Sequence, residues 1–91
     1  MIVRRRGDWV SAKIGDQVVM MNVETGQFVG LSKVGARIWE LIEVPVSPDE
    51  ICAQLVRQFE VTPERCRIEV DAFLDELEKY AAATVDSGST P

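Results

Sequence analysis

The feature that most constrains this chain is a change of hydrophobic period at Leu31. Before it, apolar residues come in short runs cut by turn signals; after it, they recur every three or four residues. A period of two suits strands with one buried face and a period near 3.6 suits amphipathic helices, so the two halves cannot exchange roles. The chain must build a small sheet first and then cover it with helices. The fold class is therefore α+β.

In the first half, Trp9–Ile14 is followed by Gly15-Asp16, the Val- and Met-rich Gln17–Asn22 by Glu24-Thr25-Gly26, and a third apolar stretch occupies residues 27–31. Three strands joined by tight turns predict an antiparallel meander. Such a sheet leaves two outer edges of unpaired backbone unless another element covers them.

In the second half, Ser32 is placed to cap a helix whose face carries Val34, Ile38, Leu41 and Ile42 with Trp39 beside them, ending before Pro45. Ser47-Pro48-Asp49-Glu50 predicts a second start, with Ile51, Leu55, Val56 and Phe59 as its stripe. Thr62-Pro63-Glu64-Arg65 announces a third helix, striped by Cys66, Val70, Phe73, Leu77 and Tyr80 or Ala81. The order is three strands followed by three helices, a helix-turn-helix companion to a small sheet.

At 91 residues there is room for one domain. Residues 9–83 are expected to form it. Residues 1–8 are expected to be a flexible start and residues 84–91, rich in Ser, Thr and Gly, a disordered tail. No apolar run approaches the roughly 20 residues needed to span a bilayer. The start also lacks the apolar segment of a secretory signal, which predicts a cytosolic protein.

Catalysis starts from a handicap, because the chain has no histidine. Cys52 and Cys66 have no further soft ligands at zinc-binding spacing and are read as buried thiols rather than a disulfide, so no metal is expected. Glu69, Asp71, Asp75, Glu76 and Glu78 lie opposite the apolar stripe of the third helix and read as a solvated face. No glycine cluster opens a helix beside a lysine, so no nucleotide or other cofactor is expected.

Residues 1–39 hold three acids (Asp8, Asp16, Glu24) against six bases, whereas residues 40–78 hold eleven acids against Arg57, Arg65 and Arg67. An acidic helical half repels a phosphate backbone, which counts against a winged-helix nucleic-acid binder of the same helix order. A structural module that dimerises through its open edge is a further reading.

What remains is a binding surface. If residues 27–31 form the outer strand, their free N–H and C=O groups can template an added strand, and Gly30 either admits a visiting backbone or relieves a twist or bulge. Leu74 lies just beyond the main stripe of the third helix, with Arg67, Asp71 and Glu78 along its outer side. It either lines a shallow slot or completes the core.

The stretch Val18-Val19-Met20-Met21-Asn22-Val23-Glu24-Thr25-Gly26-Gln27-Phe28-Val29-Gly30-Leu31-Ser32, then Val34-Gly35-Ala36-Arg37-Ile38-Trp39-Glu40-Leu41-Ile42, resembles the PqqD-like family. Ser47-Pro48-Asp49-Glu50-Ile51 and Val61-Thr62-Pro63-Glu64, followed by Val70, Leu74 and Leu77, are similar to that family's later helix starts and stripe. The resemblance covers roughly residues 9–80. It implies a winged-helix-like domain without catalytic activity that recognises the leader of a ribosomally made precursor peptide and presents it to a processing enzyme.

The resemblance further implies that the leader adds as a strand to Gln27, Phe28, Val29, Gly30 and Leu31. Side-chain contacts would then come from Val70, Asp71 and Leu74 on the third helix, with Arg67 and Glu78 beside them. Asn22-Val23-Glu24-Thr25-Gly26 replaces the Tyr-Pro-Glu-Gly turn usual in the pyrroloquinoline quinone branch, where the partner is a radical SAM enzyme. The chain looks more like the stand-alone recognition proteins of lasso-peptide clusters, which implies a separate cysteine leader protease as partner.

Overall fold

The computed structural model describes residues 1–86. Strands β1 (Ile2–Arg5), β2 (Trp9–Ile14), β3 (Gln17–Asn22) and β4 (Phe28–Leu31) precede helices α1 (Lys33–Leu41), α2 (Pro48–Gln58) and α3 (Pro63–Lys79), and β5 (Ala83–Asp86) follows. The three-stranded antiparallel sheet has the order β2-β3-β4 and is followed by the three helices, the expected α+β architecture.

Each connection has a local cause. Gly15, at φ 64, begins the two-residue turn between Ile14 and Gln17, the position where a II′ hairpin turn needs glycine. In the next turn the Asn22 side-chain oxygen accepts the Glu24 and Thr25 amides, and Gly26, at φ 78, returns its own amide to the Asn22 carbonyl. Ser32, Ser47 and Thr62 cap the three helices by accepting the amides of Gly35, Glu50 and Arg65. Pro48 and Pro63 follow their caps, where the missing N–H costs nothing.

Along each strand alternate residues face the helices. Trp9, Met20 and Leu31 are buried on that side and pack with Ile38, Trp39, Ile42, Ile51, Leu55, Val70, Leu74 and Leu77 in one core. The other face of the sheet carries no helix, and Val10, Ile14 and Phe28 are exposed there.

The two ends depart from expectation. Residues 1–8, read as a flexible start, contain β1, which pairs antiparallel with β5 from Ile2↔Asp86 to Arg5↔Ala83. Val3 is completely buried and exchanges both backbone hydrogen bonds with Val46 in the α1–α2 connection. The Arg5 guanidinium stacks over the Trp39 ring, 4.1 Å from its centroid, and donates to the Trp39 carbonyl oxygen. One aliphatic side chain and one cation thus hold a segment whose three consecutive arginines read as a loose end. Of the expected tail, residues 84–86 lie in β5, while residues 87–91 fall outside the described residues.

Ala81, at φ 58, turns the chain from α3 into β5. Its amide bonds to the Glu78 carbonyl and that of Ala82 to the Leu77 carbonyl, the pair of bonds that closes a helix in a Schellman motif.

Candidate functional site

Hydrogen bonding within the sheet determines which groups of β4 are free. The Asn22 amide bonds to the Gln27 carbonyl, and register then alternates through Met21↔Phe28, Met20↔Val29, Val19↔Gly30 and Val18↔Leu31. In an antiparallel ladder hydrogen-bonded and non-bonded pairs alternate. Val29 and Leu31 therefore spend their backbone groups on β3, and Phe28 and Gly30 direct theirs to the open edge. The ladder is unbroken at Gly30, so this glycine relieves no bulge, and a β-carbon built on it meets nothing within 4 Å.

The edge runs at Leu31-Ser32 into a cleft of about 420 Å³ between α1 and α3. Ser32, Val34, Gly35 and Ile38 line one wall; Glu69, Ala72, Phe73 and Glu76 line the other. Gly35 permits the close approach of the walls, since a β-carbon there would sit 3.1 Å from Cε1 of Phe73. Phe73 is half-buried, with its ring between the core and the cleft.

The structure distributes the residues expected at the site over three environments. Gln27, Phe28 and Gly30 are exposed, Val29 is half-buried and Leu31 faces the core. Val70 and Leu74, expected as groove contacts, are only 0% and 3% exposed: both pack beneath α3. Arg67 and Asp71 face α2, where Arg67 bridges Asp71 and Asp49, and Glu78 follows them along the exposed helix by its spacing.

The flank of α3 beside the cleft is instead that of Glu69, Ala72, Phe73 and Glu76. Phe73 and Leu74 both belong to a wide apolar face, and only the contact with Gly35 assigns Phe73 to the cleft and Leu74 to the core. The Gly35 in the first turn of α1 was the one available signal, because a helix-interior glycine often marks a close approach.

Across α1 lies a second cleft, beneath the sheet. Lys13, Lys33 and Arg37 line it with Asp16 and Glu40, and Arg37 is paired with Glu40 and Gln58. Beside it runs β2, the other outer strand of the sheet.

The model of the family described as coenzyme PQQ synthesis protein D matches residues 17–81 of this chain, from the start of β3 to the end of α3. The chain belongs to the PqqD family. No curated protein is significantly similar to it. Among solved structures, this PqqD-family chain is similar to TbiB1 in complex with the TbiA(beta) leader peptide, with 30% identity and a TM-score of 0.77 over 97% of this chain and 99% of that one. It also shares the fold of a lasso peptide synthetase B1 complexed with the leader peptide, at 19% identity and a TM-score of 0.78 over 91% and 98% of the two chains. The PqqD-family match covers β3, β4 and all three helices, and so includes both walls of the cleft. Among the described residues no helix is long and apolar enough to cross a membrane.

Proposed function

We propose that this protein binds the leader segment of a ribosomally made precursor peptide by strand addition to β4, and presents it to a separate processing enzyme in the cytoplasm. The observation that carries this reading is the open edge of β4, where Phe28 and Gly30 offer backbone groups that no other strand of the described residues uses. Main-chain pairing supplies register, and the cleft at the end of the strand supplies side-chain choice. The similarity to TbiB1, solved with a leader peptide, supports the same use of the fold here. The module itself is non-catalytic in this reading. Within this reading the pathway is of lasso-peptide type, in keeping with the fold shared with a lasso peptide synthetase B1 complexed with a leader peptide, and the recipient it assigns is a leader protease.

Titration of isotope-labelled protein with the TbiA(beta) leader peptide tests the reading. Saturable amide shifts at Phe28, Gly30 and along residues 69–76 are expected. Shifts that stay absent at millimolar peptide, or that move with protein concentration alone, would replace peptide binding by self-association through the edge.

A further inference from the structure

We propose that Glu69 and Glu76 select leader segments that carry lysine or arginine beside an apolar anchor. This inference rests on the leader-binding reading and specifies which leaders the site accepts.

The cleft has an apolar floor and an acidic rim. Val34, Ile38, Ala72 and Phe73 can receive an aliphatic or aromatic side chain, and the charged residues lining the cleft are both carboxylates. Glu76 forms no ion pair among the described residues. Glu69 has only Arg65 at 3.7 Å, an i,i+4 surface pair that is weak and easily exchanged for another cation. On the opposite flank Arg67 bridges Asp49 and Asp71, one cation shared between two carboxylates. Of the acids on α3, Glu69 and Glu76 are the two that line the cleft adjoining the free edge, where no cation of the cleft lining offsets them.

The charge also distinguishes the two outer strands. Both β2 and β4 present open backbone, but the cleft beside β2 mixes Lys13, Lys33 and Arg37 with Asp16 and Glu40, whereas the charged residues of the cleft beside β4 are Glu69 and Glu76. A cationic peptide is therefore favoured at β4 over β2. The eleven acids of residues 40–78 extend the attraction beyond contact range.

Spacing makes the inference quantitative. Glu76 lies seven positions after Glu69, about 10 Å along α3. An extended chain covers that distance in about three residues. Leaders that use both carboxylates therefore carry basic residues two to four positions apart, next to the anchor that enters between Phe73 and Val34.

The test is a selection of random twelve-residue linear peptides, displayed on their own messenger RNA, against the intact protein, its Glu69→Gln/Glu76→Gln variant and its Gly30→Pro variant. The wild type should recover apolar anchors flanked by Lys or Arg, and the double Gln variant the same anchors without the basic enrichment. A recovered basic peptide should bind the double variant about two- to fivefold more weakly per carboxylate removed. That difference should shrink as added salt shortens the screening length. Equal Lys and Arg enrichment from wild type and double variant overturns the charge selection and leaves peptide binding intact. Recovery of no peptides, or of peptides that bind Gly30→Pro as well as wild type, overturns strand addition to β4 and the charge selection with it.

Discussion

Gly35 and Phe73 pack so closely across the cleft that a β-carbon added to Gly35 would stand 3.1 Å from Cε1 and 3.4 Å from Cζ of the ring, so the ring would have to shift by a few tenths of an ångström to admit it. Glycine inside a helix costs roughly 1 kcal/mol relative to alanine. The close approach of α1 and α3 explains why it stands there. Gly35→Ala is expected to leave thermal stability within a few degrees, because the gain in helix propensity offsets a small displacement of the ring. The displaced ring enters the cleft, so peptide affinity should fall. Melting curves and a peptide titration on the same sample separate the two effects.

Proline substitutions at adjacent positions of β4 should give opposite results. Gly30 directs its N–H to the open edge, so Gly30→Pro removes a donor that no neighbouring strand uses; the fold should survive and peptide binding should be lost. Val29 bonds to β3, so Val29→Pro breaks the ladder and leaves a β3 carbonyl unpaired, which should cost about 1–3 kcal/mol. Urea titrations of both variants would show the contrast. Equal destabilisation would mean that the alternation assigned to β4 is wrong.

The arginine cluster at the start of the chain is structural at its centre. Removing residues 1–5 exposes the partners of fully buried Val3, worth about 1.5–3 kcal/mol. It also strips Arg5 from the Trp39 face, worth about 0.5–2 kcal/mol. Arg4→Ala, by contrast, should change the urea midpoint little, since Arg4 is exposed in β1.

Ala81 holds a left-handed conformation that costs non-glycine residues roughly 1–2 kcal/mol. Ala81→Gly should therefore stabilise the protein by up to about 1 kcal/mol, the remainder being lost to the freer unfolded chain. A higher urea midpoint with an unchanged slope is the expected reading.

Burial pushes the Cys52 thiol up to about 11, with the neighbouring Cys66 thiol acting in the same direction. The folded protein favours the protonated form, so this contribution to stability is fully present below pH 9.0, the thiol's ordinary value, and is lost as pH rises towards 11. Thiol-specific labelling of Cys52 should accordingly be slow at pH 8, and its rate should keep rising past pH 10. A rate that is half-maximal near pH 9 and level above about pH 10 would show an unshifted thiol.

Strong local signals were legible in the residues themselves. Ser47-Pro48 and Thr62-Pro63 combine a cap with a preorganised first turn, and Gly15-Asp16 and Asn22 make turns from short-range bonds alone. β1 and β5 were not legible, because Ile-Val-Arg-Arg and Ala-Thr-Val-Asp are short, half polar and paired across nearly the whole chain. At the candidate site, the strand edge could be read from turns and alternation. The wall opposite it could not: Phe73 and Leu74 are both apolar neighbours on one broad helical face, and their separation depends on where α1 docks.

The β1–β5 ribbon carries one more implication. Ile2 stands opposite Asp86, so the polypeptide enters and leaves the domain side by side, remote in sequence from β4. A domain built this way can be spliced into a surface loop of a larger host with little stretching of either junction. The same recognition unit could then serve as a free partner or as a built-in segment, without altering the geometry of its cleft.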